Sequence, residues 1–196
     1  MGLLTDLLGG DNATSAQPNA KIGGGALQLG VPNAQFTSVA TRALSANRVH
    51  YLPFRVAGPL TVDRVSFEVT TGPASAANMR VGLYRADDEL QPDGAPLFDH
   101  AVAVGSATTG VFTQAIANAV LAPGWYLSTM NPGVAMTVRI LNGGHTILAP
   151  TLGVNPIHQF LFASQTYGTL PTPGTPWAGV AAAAAPAHAL FYRWSI

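Results

Sequence analysis

From residue 48 onward the chain is a succession of short β-branched and aromatic runs, each cut off by Gly, Pro, Asn or Asp. That punctuation leaves room for strands and little else. The runs that read as strands are Val49–Val56, Leu60–Val69, Met79–Tyr84, Leu97–Val104, Val111–Ile116, Trp125–Met130, Met136–Leu141, Gln159–Ala163 and Ala189–Trp194. Turn chemistry marks the gaps at Gln91-Pro92-Asp93-Gly94, Ala122-Pro123-Gly124 and Asn142-Gly143-Gly144. In Leu60–Val69 the alternation slips, because Leu60 and Val62 share one parity while Val65, Phe67 and Val69 share the other. A β-bulge at Asp63-Arg64 reconciles the two halves. Ala181–Ala185 is bracketed so closely by Gly179 and Pro186 that a packed loop is expected there rather than a helix. Many short strands with no helical period predict an all-β fold, an antiparallel β-sandwich of jelly-roll type.

Composition changes near residue 45. Before it, Gly9-Gly10, Gly23-Gly24-Gly25 and Pro32-Asn33 break up a tract rich in Ala, Asn, Gln and Ser, with too few large apolar side chains to close a core. The expected organisation is an extended anchoring arm over residues 1–45 and a β-sandwich over residues 46–196. At the tip of the arm, Leu3, Leu4, Leu7 and Leu8 would fall on one side of a short helix. Burying four leucines returns roughly 6–12 kcal/mol, whereas ordering about ten residues costs roughly 10–20 kcal/mol. The tip therefore needs a partner to hold it, and these leucines are the expected anchoring residues.

Charge is scarce. Nine Lys or Arg balance nine Asp or Glu, and charged residues make up 9% of the chain against about 25% in an ordinary soluble domain. A single lysine, Lys21, and scattered arginines cannot form the basic stripe that phosphate neutralisation requires, so neither nucleic acid nor a membrane surface is an expected partner. A surface with little electrostatic repulsion favours association with other subunits. The scarcity is greatest in the arm and in Asn142–His188, which contains no Asp, Glu, Lys or Arg. Those two stretches are the expected subunit contacts, with the charged middle facing water.

The chain has no cysteine, so disulfides, thiol nucleophiles and thiolate metal sites are excluded together. The first ten residues lack the basic start and apolar run of a secretory signal, and Asp6 stands where a myristoylation motif wants Ser or Thr. The apolar stretch Trp177–Phe191 is too short and too interrupted to span a bilayer. Neither a phosphate-binding loop nor a Gly-x-Ser-x-Gly elbow nor a His-Glu-x-x-His helix is present. His50, His100, His145, His158 and His188 stand singly. The acidic run Asp87-Asp88-Glu89 with Asp93 misses the register of a calcium loop and reads as a solvated hairpin turn. Asp63, Glu68 and Asp99 are available for a glycosidase pair, but Asp63 and Glu68 occupy ordinary outward strand positions. No enzyme, metal or cofactor is expected. Trp125, Tyr126, Trp177 and Trp194 could form a stacking platform for a host surface glycan, although alternating aromatics more often fill a core or a subunit interface.

The segments His50-Tyr51-Leu52-Pro53-Phe54-Arg55-Val56, Gly58-Pro59-Leu60-Thr61-Val62-Asp63-Arg64-Val65, Met79-Arg80-Val81-Gly82-Leu83-Tyr84, Asp93-Gly94-Ala95-Pro96-Leu97 and Leu121-Ala122-Pro123-Gly124-Trp125-Tyr126-Leu127 resemble, in order and spacing, a module of tailed-bacteriophage virion proteins, especially tail fibres and minor tail proteins. The resemblance covers about the middle half of the chain. It implies a homotrimeric, non-enzymatic module on a virion surface, and it carries over no catalytic residues. The chain lacks the coiled-coil or collagen-like shaft of a long fibre, so the expectation is a short fibre, a tail-attached adaptor or a head decoration protein.

Overall fold

A computed structural model describes residues 28–29, 35–56, 58–144, 161–180, 187–188 and 191–195, all in strands, turns and loops. The strands are β1 (Gln28–Leu29), β2 (Gln35–Leu44), β3 (Arg48–Val56), β4 (Leu60–Thr71), β5 (Ala77–Ala86), β6 (Pro92–Val104), β7 (Gly110–Leu121), β8 (Gly124–Pro132), β9 (Met136–Gly144), β10 (Leu161–Ser164), β11 (Gly179–Val180), β12 (Ala187–His188) and β13 (Phe191–Ser195). They form two antiparallel sheets packed face to face.

The strand order identifies the architecture. In one sheet β2 pairs with β9, β9 with β4, and β4 with β7; in the other β3 pairs with β8, β8 with β5, and β5 with β6. Eight consecutive strands in the orders 2-9-4-7 and 3-8-5-6 make the two interlocked Greek keys of a jelly roll. The remaining strands are additions to this frame. The β4–β9 ladder is confined to the pairs Val69–Val138 and Thr71–Thr137. Beyond that point they diverge, with β12 pairing to β9 and β13 to β4, so C-terminal residues occupy the gap. β1 extends the sheet beyond β13, and β10 and β11 extend the other sheet beyond β3.

The bulge expected at Asp63-Arg64 is present. Val62 pairs with Ala119 and Arg64 with Ala115, which leaves three β7 residues opposite Asp63. Val62 and Val65 are thereby both turned into the core, each 1% exposed. The inner faces interlock Val62, Val65, Phe67, Val138 and Ile140 of one sheet with Phe54, Val81, Leu83, Tyr126 and Met130 of the other.

Three local expectations are corrected. The hairpin between β5 and β6 turns at Asp87–Leu90, where Leu90 takes a positive φ of 59°, and not at Gln91–Gly94. Asp87 nucleates it, its Oδ1 accepting the amides of Glu89 (3.0 Å) and Gln91 (2.7 Å); an aspartate that satisfies the backbone two residues on supplies a turn without glycine. Gly94, with φ 68°, lies within the stretch of β6 that bulges between the pairs Leu83–Phe98 and Arg85–Asp93. Asn142-Gly143-Gly144 is not a turn but the end of β9, paired with Ser38, Phe36 and Gln35. That partner, β2, lies inside the tract placed with the arm by composition: Gln35–Leu44 belongs to the sandwich and carries Leu44 into the core with no exposure. The turn expected at Ala122–Gly124 does separate β7 from β8, and the hydroxyl of Tyr126 donates back to the carbonyl of Ala122 at 2.7 Å.

Candidate functional site

Sheet β3-β8-β5-β6 carries buried apolar side chains on both faces. Alternation sends Phe54, Val81, Leu83 and Tyr126 inward and turns Val49, Tyr51, Tyr84 and Leu127 outward. A sheet face bearing two tyrosines and two aliphatic side chains needs a cover. The cover is a strap, residues 165–178, that leaves β10 and crosses this outer face. Leu170 is 3% exposed and packs with Tyr51, Tyr84, Leu127, Leu161 and Ala163 into a second apolar cluster, against which Trp177 and Ala86 rest. Within the uncharged stretch Asn142–His188, residues 165–178 lie on an apolar part of a sheet of their own chain.

Side chains of the sheet pin the strap along its length. Tyr51 donates to the carbonyl of Thr175 at 2.6 Å and Tyr84 to that of Pro171 at 2.8 Å. Asp99 Oδ2 accepts the Leu170 amide at 2.9 Å while bridging the guanidinium of Arg80 at 2.7 Å. Asn47 Oδ1 accepts the Tyr167 amide at 3.0 Å. At the far end, Trp177 donates its indole N–H to the Leu90 carbonyl at 2.9 Å, and its amide to Gln91 Oε1 at 3.0 Å. The electrostatics follow the burial. Desolvation first, and then the neighbouring acidic group, the Tyr84 phenol for Tyr51 and the Asp99 carboxylate for Tyr84, hold both phenols well above the ordinary tyrosine range. Burial opposes the charge of Arg80, but the hydrogen bond and charge of Asp99 outweigh it and keep the guanidinium firmly protonated.

Beneath the strap lies a polar cluster. Thr129 and Asn131, both with no exposure, project from β8 on the outer face beside Arg80 and Asp99. Thr129 Oγ1, Asn131 Oδ1, Asp99 Oδ1, Arg80 Nε and Gln165 Nε2 have no hydrogen-bonding partner in the protein. Each such group costs about 1–3 kcal/mol when left unpaired.

The residues expected to carry function are distributed as follows. Leu3, Leu4, Leu7 and Leu8 lie outside the described residues. Of the aromatic platform, Tyr126 is a core residue, 1% exposed and stacked on Phe54 at 5.8 Å. Trp125 follows the opposite parity and is half-buried, paired with Arg55. Trp177 is a strut of the strap. Trp194 belongs to the other sheet, where it pairs with Val62. The four are thus divided among the core, one outer face and the opposite sheet. Of the carboxylates, Glu68 forms a two-pronged ion pair with Arg139 across strands (2.9 and 3.2 Å), and Asp99 holds the strap. Among the described residues no cluster of three or more His, Asp or Glu is arranged to hold a metal.

A feature the sequence reading passed over is the edge strand β7. Its twelve residues, GVFTQAIANAVL, contain no charge and no proline. Among the described residues its one strand partner is β4. Val111 and Val120 are 65% and 70% exposed. Edge strands usually carry lysine, proline or inward charges that prevent pairing with another chain. The absence of all of these in Gly110–Leu121 was readable as a signal, but only once the strand was known to be an edge. Comparison of the chain with protein-family models, with curated proteins and with solved structures finds no match.

Proposed function

We propose that the chain is a non-enzymatic structural subunit of a tailed-bacteriophage virion: a homotrimeric jelly-roll module, attached to the particle by its N-terminal arm, that serves as a short fibre, minor tail or decoration protein. The observation that carries the reading is β7. A jelly-roll subunit that exposes an uncharged edge with two valines at 65% and 70% exposure is suited to pair with other chains. The small charged fraction, 9%, points the same way, because little repulsion opposes close packing of copies.

Sedimentation velocity over a range of concentrations tests the assembly. The full chain should sediment as an oligomer, and Val111→Lys/Val120→Lys should shift it toward monomer with its circular dichroism unchanged. A wild-type chain that is monomeric throughout, or an oligomer indifferent to both lysines, would remove the support that β7 gives.

A further inference from the structure

We propose that β7 pairs with β7 of a second copy of the chain, antiparallel about a two-fold axis, so that a sheet of one subunit runs on into the same sheet of the other. The proposal rests on the reading of β7 as a contact between chains and names its partner. The other edges are unsuited to the role. β6 carries Pro92, Asp93, Pro96 and Asp99, and its ladder with β5 shifts register between Leu83 and Arg85. Arg42 of β2 alternates onto the inward face with Ala40 and Leu44, and β1, β11 and β12 are two residues long. Prolines, bulges, inward charges and short length all discourage edge-to-edge pairing. Among the described residues β7 is therefore the long edge left open, and a second copy presents the same open edge to it.

The pattern of β7 is self-complementary. Placing Gly110–Thr113 opposite Asn118–Leu121 of the second copy sets Val111 against Val120 at both ends of the seam. Both valines project from the outer face, in register with Glu68 and Thr61 of β4, and they are 65% and 70% exposed. The next pair, Phe112 and Ala119, shares the inner face, where both pack against the core. Residues directly opposite in antiparallel strands share a face, and this register meets that condition at each end. It does so because the irregularity opposite Asp63 lies between the two halves and changes their parity. In an unbroken strand positions 111 and 120 would fall on opposite faces. No residue of β7 is charged, so like charges meet nowhere along the strand. A two-fold contact closes on itself; in the trimeric reading it joins one trimer to another, and other surfaces hold the threefold.

The absence of cysteine from the chain makes the register directly testable. Val111→Cys and Val120→Cys, prepared as separate full-length chains and mixed under mild oxidation, should give a covalent mixed dimer. Opposed residues stand about 4.5–5.5 Å apart at Cα, within the span of a disulfide. Each variant alone should stay unlinked, since its own two cysteines stand nine positions apart along the seam, about 30 Å. A mixture that links no better than either variant alone would overturn the register. Charge exchange gives a second reading by sedimentation. Val111→Lys/Val120→Glu sets opposite charges across both pairs and should associate, whereas Val111→Lys/Val120→Lys should not. Equal loss of association in both would overturn the partner. An oligomer that comes apart in the double lysine variant but gives no link between positions 111 and 120 keeps β7 as a contact between chains and discards a second β7 as its partner.

Discussion

One oxygen of Asp99 accepts the backbone amide of Leu170 at 2.9 Å while the same atom holds the Arg80 guanidinium at 2.7 Å. A single carboxylate, 71 residues from its backbone partner, thus couples the β5-β6 hairpin to the strap. The contact fixes Leu170 over Gly82, the one outward position in that row without a side chain, and so places the strap's apolar anchor among Tyr51, Tyr84 and Leu127.

Replacing Asp99 by Ala leaves Arg80 without its counter-charge in a site only 16% exposed and removes the acceptor for Leu170. The expected loss is about 2–3 kcal/mol, the range for hydrogen bonds to charged groups. Asp99→Asn keeps an acceptor and should lose about half as much. Urea unfolding measures both, and native-state hydrogen exchange should show the Leu170 amide losing protection first in Asp99→Ala.

Two glycines let the strap lie close to the sheet. A Cβ at Gly82 would collide with the Leu170 side chain, and one at Gly174 would stand 2.5 Å from Pro92 Cβ and 2.9 Å from the Tyr84 ring. Overpacking of this kind costs about 1–3 kcal/mol. Gly82→Ala and Gly174→Ala should each lower the unfolding midpoint by that much and raise the fluorescence sensitivity of Trp177 to quencher. Unchanged midpoints in both would show that the strap does not bear on the sheet.

The buried phenols predict an alkaline limit to stability. Tyr51 and Tyr84 are held above the ordinary tyrosine pKa by desolvation first, and then by Tyr84 beside Tyr51 and Asp99 beside Tyr84, so the folded chain keeps protons that the unfolded chain releases. Their contribution is complete below about pH 10, the unfolded value. It is lost as pH rises from there through the raised folded values, at up to ~1.4 kcal/mol per pH unit for each phenol. Tyr51→Phe/Tyr84→Phe should flatten the stability profile above pH 10 and lower the plateau by about 2 kcal/mol for two lost hydrogen bonds. An identical alkaline slope in the double variant would refute this assignment.

The surface pair Glu68–Arg139 gives the opposite sign with a small amplitude. The Arg139 hydrogen bond, aided by its charge, holds the Glu68 carboxyl below the usual range against the opposing effect of burial. Its stabilisation is present above the ordinary glutamate pKa and is lost as pH falls through the lowered folded value. Both side chains are about one-third exposed, so Glu68→Gln should cost under about 1 kcal/mol at neutral pH and should reduce the acid dependence seen in chemical denaturation.

The sandwich was legible because its inner faces show as apolar alternation in short runs bounded by turn residues, and even the bulge at Asp63 could be read from the parity change between Val62 and Val65. Strand β2 was missed because QFTSVATRAL carries little apolar bulk; its place comes from pairing with β9 over Gln35–Leu44, a long-range relation that composition does not encode. The strap escaped for a related reason. Its residues 165–178 are mostly Thr, Gly and Pro, with single Gln, Tyr, Leu, Trp and Ala residues, and their order comes from Tyr51, Tyr84 and Asp99, which are 71 to 124 residues away. Trp177 showed in the sequence as an aromatic, but only the Leu90 carbonyl opposite its indole reveals its structural use.

The most direct test of the account is the composition and density of particles produced by the genome that encodes the chain. Mass spectrometry of purified virions should detect it, and cryo-electron microscopy should show a jelly roll on the particle surface about a threefold axis, absent when residues 2–30 are deleted. Particles that lack the chain altogether, or that incorporate the shortened chain equally well, would contradict the assignment to the virion or the anchoring role of the arm, respectively.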